Sequence, residues 1–150
     1  MLIRISSTLR SISMIVLLLV FLYVYANLPE MVGVNTNESG HPTGKFSRNS
    51  FFYGGLFIFS LVNGLLLILI RLYKKTRLLE DKYNQTLITW LNGLSGFINL
   101  FFMMSVIFVS AFNSLEKINL NSFGIILNIT GGILLIWLLG FFYVRLQKGK

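Results

Sequence analysis

The sequence of 150 residues contains no cysteine, one histidine, two prolines and five acidic residues. Without cysteine the chain has no disulfide, thiolate metal site or thiol nucleophile. Charged residues make up 12% of the chain, whereas a soluble domain carries roughly 25%. So few charges cannot cover a surface that faces water. The composition therefore excludes an ordinary soluble enzyme, a secreted disulfide-rich domain and the usual kind of nucleic-acid-binding protein.

Hydrophobic residues are abundant instead, at 55% of the chain, and the mean hydropathy is +0.74. Charged residues are absent from four stretches, 11–29, 49–70, 83–115 and 118–144. Each stretch is long enough to cross a hydrocarbon core of about 30 Å as a helix, and too long and too continuously apolar for a β-barrel strand. The sequence predicts an all-α membrane protein, residues 1–150 forming one domain. The predicted spans are about 11–28, 51–71, 87–112 and 122–144.

The first stretch also has features of a signal peptide, with Val24-Tyr25-Ala26 as a small-residue cleavage site. We interpret it as the first spanning helix, with both prolines and the histidine in the loop that follows.

Basic residues are distributed unequally between the two predicted sides of the membrane. One side comprises the N-terminus, the 71–82 linker and the C-terminus, and holds Arg4, Arg10, Arg71, Lys74, Lys75, Arg77, Lys82, Arg145, Lys148 and Lys150. The other side holds Lys45, Arg48 and Lys117. Short loops rich in lysine and arginine face the cytoplasm, so both termini are predicted to be cytoplasmic. We expect these charges to contact anionic lipids rather than nucleic acid.

No ionisable side chain falls inside a predicted span, which is unlike a pump or a proton-coupled transporter. The spans contain asparagine and glycine at helical spacing instead: Asn63 in the second, Asn92, Gly96 and Asn99 in the third, and Gly124, Asn128 and Gly132 in the fourth. Such faces either line a polar ligand site or pack against other helices, because small residues allow close approach and amides form interhelical hydrogen bonds. Packing within the protein or against an integral membrane partner is the favoured interpretation.

No arrangement of residues indicates catalysis. His41 has only scattered polar neighbours and is interpreted as a solvated loop residue rather than a metal ligand. We find no Ser/His/Asp order, glycine-rich phosphate loop or carboxylate pair. The sequence predicts a protein that is not an enzyme and has no cofactor or metal.

The loop between the first two spans carries the most specific motif. In it, Leu28, Pro29, Glu30, Val32, Asn37, Gly40, Pro42, Ser47 and Arg48 appear in order. This pattern resembles a bacterial integral-membrane domain of unknown function that also forms the N-terminal part of SdpI-type immunity proteins. The sequence differs from that pattern at Asn35 and Thr36, where the family has histidine and an aromatic residue. The resemblance implies a bacterial cytoplasmic membrane protein with a structured, outward-facing loop.

Three functions are compatible with these features. The first is an accessory or stabilising subunit of a larger bacterial inner-membrane complex, bound through its helix faces. The second, implied by the resemblance, is an SdpI-like immunity or membrane signalling protein. The third is a small transporter that uses the asparagine face.

Overall fold

A computed structural model describes residues 1–36, 42–76, 82–114 and 120–146. Its elements, in chain order, are α1 (Leu2–Asn27), β1 (Met31–Thr36), β2 (Pro42–Ser47), α2 (Arg48–Thr76), α3 (Lys82–Asn113) and α4 (Leu120–Leu146). All four helices are long and apolar enough to cross a membrane. The prediction of four apolar helices of membrane-spanning length is therefore confirmed.

The helices are longer than the predicted spans, most clearly at the N-terminus. Helix α1 begins at Leu2 rather than near residue 11, so Arg4 and Arg10 are helical. The expected cationic segment before the first span is thus part of that helix. Charges end an apolar run without ending a helix, and arginine has a high helix propensity.

Helix α3 is the centre of the bundle, and the other three helices pack mainly against it. Ser6 of α1 is bonded to Asn92 and Ser13 to Asn99, so α1 and α3 run in the same direction. Helices α2 and α4 run in the opposite direction. This alternation places the hairpin beside the C-terminal end of α3. Gly33 of the hairpin is bonded there to Asn113.

Two apolar clusters lie at opposite ends of α3. The first contains Leu66, Ile70, Leu87, Ile88, Leu91, Leu94 and Val144. The second, beside the hairpin, contains Phe21, Val24, Leu28, Val32 and Val106. Buried polar side chains, among them Ser95 and Asn99, lie on α3 between these clusters.

The loop between α1 and α2 is structured, as predicted, but it contains strands that an all-α description leaves out. Strands β1 and β2 are antiparallel, with Val32 opposite Phe46 and Gly33 opposite Lys45. Pro42 is the first residue of β2, a position where proline's missing N–H is tolerated. Gly44 has a φ of 65°, a conformation that favours glycine.

Candidate functional site

Three of the asparagines selected from the sequence lie inside the bundle. Asn63, Asn92 and Asn99 are at most 3% exposed. Asn63 and Asn99, on neighbouring helices, are directly bonded through Asn63 Nδ2 and Asn99 Oδ1 at 2.9 Å. The structure therefore brings the predicted residues of α2 and α3 together, and these amides face each other rather than an external protein.

We call Ser13, Asn63, Ser95 and Asn99 the amide network. Ser95 Oγ donates to Asn63 Oδ1 at 2.9 Å, and Asn99 Nδ2 donates to Ser13 Oγ at 3.0 Å. Asn63 Nδ2 also donates to the carbonyl of Phe59 at 3.1 Å. Both the donor and the acceptor of each amide are thus used inside the protein. A buried polar group that is fully paired stabilises packing and offers little to a ligand.

Arg10 forms a second polar cluster with Asn92 and Ser6. Arg10 Nη1 donates to Asn92 Oδ1 at 2.8 Å, and Asn92 Nδ2 donates to Ser6 Oγ at 3.3 Å. Arg10 Nε is buried without a hydrogen-bond partner in the described part of the chain.

Arg10 lies outside the predicted spans, but its guanidinium bonds a residue that lies inside one of them. The predicted first span begins one residue after Arg10, yet the guanidinium reaches Asn92, ten residues into α3. The long aliphatic stem of arginine allows its charged end to lie away from its Cα. The sequence contained a signal for the packing of α1 against α3. Ser6 and Ser13 are seven residues apart, as are Asn92 and Asn99, the residues to which they are bonded.

Helices α3 and α4 are joined by a reciprocal tryptophan pair that sequence reasoning missed. Trp90 Nε1 donates to the carbonyl of Trp137 at 3.0 Å, and Trp137 Nε1 donates to that of Trp90 at 3.2 Å. Each tryptophan is followed by leucine and, after three positions, by glycine. A Cβ at Gly93 would overlap the Trp137 ring, while one at Gly140 would lie 3.6 Å from Trp90 Nε1. The repeated Trp-Leu-x-Gly pattern was the available signal.

Of the predicted small residues, Gly96 does not provide a close helix contact. A Cβ at Gly96 would meet nothing within 4 Å. The close approach of α3 to α4 occurs at Gly93 instead, where the ring of Trp137 occupies the space that a Cβ would need.

The predicted residues of α4 lie on its outer face. A Cβ at Gly124 or Gly132 would meet nothing within 4 Å, and Asn128, midway between them, is exposed. The Asn128 amide makes no hydrogen bond with the part of the chain that the structure describes. Neighbouring Thr130 is buried on the opposite side and donates to the carbonyl of Leu127 at 2.9 Å.

The two ends of the loop motif meet at the base of the hairpin. Arg48 N donates to the carbonyl of Glu30 at 2.8 Å, and Arg48 Nη1 donates to that of Leu28 at 3.3 Å. The guanidinium also lies 5.1 Å from the centroid of the Tyr25 ring, a cation–π distance. Leu28 is buried, while Pro29 and Ser47 are exposed.

Ser47 caps helix α2, since its Oγ accepts from Ser50 N at 3.0 Å. Pro42 begins β2, whereas Asn37, Gly40 and His41 lie outside the described residues. In the ranges that the structure does describe, no three His, Cys, Asp or Glu side chains could together hold a metal ion.

Asn113 attaches the hairpin to α3. Gly33 N donates to Asn113 Oδ1 at 2.7 Å, and Asn113 Nδ2 donates to the carbonyl of Gly33 at 2.8 Å. The side-chain amide thus pairs with β1 as a neighbouring strand would, and it satisfies backbone groups at the edge of the sheet. The structure adds Asn113 to the polar residues found from the sequence.

Comparisons with protein-family models, curated proteins and solved structures give no match for this chain.

Proposed function

We propose that this multi-pass membrane protein is a non-catalytic accessory or stabilising subunit of a larger complex in the bacterial cytoplasmic membrane. The observation that carries the proposal is the exposed Asn128 amide on α4, between Gly124 and Gly132. An unpaired amide in hydrocarbon is unfavourable by several kcal/mol relative to water. Another transmembrane helix could approach closely at the two glycines and pair with this amide.

The burial of the helices supports the choice of α4 as the partner-binding helix. Only 6% of its most apolar segment is buried within the protein, against 17% to 22% for the other three helices. Helix α4 therefore has the most side-chain surface left for an integral membrane partner. The buried amides of α2 and α3 are already paired within the chain and contribute indirectly, by holding the bundle together.

The test is purification from native membranes in mild detergent, followed by measurement of partner stoichiometry. We expect the wild type to retain an integral membrane protein and Asn128→Leu to lose it about tenfold, which corresponds to ~1.4 kcal/mol. Asn128→Gln keeps the amide and should retain the partner. Ile129→Leu, at an exposed neighbouring position, is the matched control for a change on the lipid-facing surface.

A single introduced cysteine tests whether the partner binds at α4. The native chain has no cysteine, so any cross-link comes from the introduced position. A Gly124→Cys variant should cross-link to the retained protein in membranes. Equal partner recovery from wild type and Asn128→Leu, or the absence of any protein cross-link from position 124, would contradict the proposed role of α4.

An SdpI-like immunity or membrane signalling role is the second candidate. It is supported by the ordered base of the hairpin and by the exposure of Met31, 53% of whose surface is accessible. If the hairpin faces outward, this side chain is placed to contact an extracellular peptide. Deletion of the protein would then sensitise cells to a secreted peptide, and Met31→Ser would do the same without changing protein abundance.

A transporter role has less support, since Asn63, Asn92 and Asn99, which would line a polar route, are hydrogen-bonded within the bundle. If they only hold helices together, Asn99→Leu reduces bundle stability and produces no specific change in solute flux into liposomes.

A further inference from the structure

A cavity of about 410 Å³ lies between the hairpin and the helices beneath it. All three neighbouring helices and both strands contribute to its walls. Its lining includes Val34, Phe46, Gly54, Ile58 and Ser105. Phe46 and Val34, which line it from the hairpin, are 52% and 44% exposed, so the cavity is open to its surroundings rather than sealed inside the protein.

Two adjacent glycines of α2 determine the shape of this cavity. A Cβ at Gly55 would overlap the ring of Phe21, so α2 and α1 are in close contact at that position. A Cβ at Gly54 would meet nothing within 4 Å. Helix α2 therefore presents bare backbone to the cavity at Gly54, and the space there is not filled by any described side chain.

The walls offer water almost no hydrogen-bonding partners. Their only polar side chains are the hydroxyls of Ser50 and Ser105. Ser105 Oγ donates to the carbonyl of Phe101 at 2.9 Å, and Ser50 is bonded to Ser47 at 2.8 Å. A stably bound water needs two to four polar partners, so a site of this kind favours an apolar occupant.

The depth of the cavity indicates which apolar occupant is available. Ile58 lies in the uncharged stretch of α2, and Phe102, Val106 and Val109 lie in that of α3. At this depth the surrounding solvent is hydrocarbon. Since the walls suit water poorly and no described side chain fills the space, a lipid chain from the bilayer is the adjacent molecule that can enter.

The dimensions disfavour a helix from another protein. An α-helix with its side chains has a diameter of ~10 Å. It could continue past the cavity only by displacing Val34 and Phe46, the hairpin residues that line it. A flexible acyl chain is narrower and can follow a curved cavity.

We infer that this cavity is a binding site for one acyl chain of a membrane phospholipid. The chain lies against the exposed backbone at Gly54 and under Phe46, and it is held by close van der Waals contact, which is the main source of apolar affinity within a bilayer. Occupancy links the hairpin to the helices through the lipid. The site is separate from the α4 face that was proposed to bind a protein partner.

Photoactivatable phospholipid in native-like nanodiscs tests this inference, with a diazirine placed in the acyl chain. We expect cross-links to peptides that contain residues 50–58 and 102–109. Native mass spectrometry of the detergent-extracted protein then measures how much phospholipid is retained.

Gly54→Leu fills the cavity, and Gly64→Leu is its matched control. Both glycines lie on α2, and a Cβ at either would meet nothing within 4 Å, but Gly64 does not line the cavity. Gly54→Leu should lower phospholipid retention about tenfold, equivalent to ~1.4 kcal/mol, while Gly64→Leu retains the wild-type amount. Should Gly54→Leu fail to fold, Ile58→Phe at the cavity wall and Ile68→Phe outside it form a second pair.

Equal retention by the cavity variant and its control would overturn the inference, as would cross-links spread evenly over α2. A protein or peptide cross-linked in the cavity in place of lipid would also overturn it. Loss of the α4 partner in Asn128→Leu should leave phospholipid retention unchanged, so this site and the proposed function can fail independently.

Discussion

Asn99 uses both ends of its amide, since it accepts a hydrogen bond from Asn63 and donates one to Ser13. Asn99→Leu removes both bonds and leaves one Asn63 N–H in a buried site without this acceptor. We expect a loss of about 1–2 kcal/mol in the free energy of unfolding. Asn128→Leu is the control, because it makes the same change at an exposed position. The measurement is reversible unfolding in mixed micelles, and equal stability of the two variants would contradict the role of the network.

Arg10 and Asn92 should respond unequally to substitution. Asn92→Leu leaves the half-buried guanidinium of Arg10 without its acceptor, and hydrogen bonds to charged groups are worth about 1.5–3 kcal/mol. Arg10→Met keeps the aliphatic stem and removes a charge that is half-buried. We therefore expect Asn92→Leu to be the more destabilising single change.

The double variant Arg10→Met with Asn92→Leu measures the coupling between these two side chains. It should be more stable than Asn92→Leu alone, because replacing both members of a buried polar pair is often nearly neutral. Strict additivity of the two single effects would show that the 2.8 Å hydrogen bond contributes nothing.

At the scale of elements, the packing of α4 on α3 depends on the reciprocal tryptophans. Gly93→Ala places a Cβ 2.9 Å from Cε2 of Trp137 and closer still to another ring atom, which forces the ring to move. Overpacking of this kind typically costs 1–3 kcal/mol, so we expect α4 to separate more easily from α3.

Gly96→Ala is the matched control for that prediction. It lies on the same helix, where a Cβ meets nothing within 4 Å, and alanine has the higher helix propensity by about 1 kcal/mol. Gly93→Ala should therefore lower the melting temperature, and Gly96→Ala should maintain or raise it. If both variants melted alike, the contact between Gly93 and Trp137 would be energetically unimportant.

The attachment of the hairpin to the bundle likewise depends on a contact between residues that are far apart in the sequence. Asn113→Ala removes both hydrogen bonds to Gly33 and exposes the outer edge of β1. Hydrogen exchange at the Gly33 amide should become faster, while exchange within α2 should not change. An unchanged rate at Gly33 would mean that the other hairpin contacts, such as those of Val32 and Arg48, are sufficient.

For the molecule as a whole, the features that could be predicted from the sequence are those that a lipid environment requires. The four helices were predictable because hydrocarbon requires about 20 uncharged residues per span. The amide spacing within the third span indicated that Asn92 and Asn99 share a polar face, but it did not indicate that Asn99 pairs with Asn63. Strands β1 and β2 were not predictable, since β1 is held by Asn113, 80 residues away. The contact between Arg10 and Asn92 was not predictable, because the sequence does not show which helix the side chain of Arg10 reaches.

Orientation is the prediction that concerns the whole molecule, and the absence of native cysteine allows a clean test. Lys45 lies on the hairpin and Lys75 near the end of α2, and both side chains are exposed. Because lysine and arginine are concentrated on the side that includes Lys75, that side should face the cytoplasm. In Lys45→Cys, a membrane-impermeant maleimide should label intact cells. In Lys75→Cys, labelling should require permeabilised cells, and the cysteine-free parent gives the background. Labelling of Lys75→Cys alone in intact cells would mean that the hairpin faces the cytoplasm, and the charge asymmetry would then need another cause.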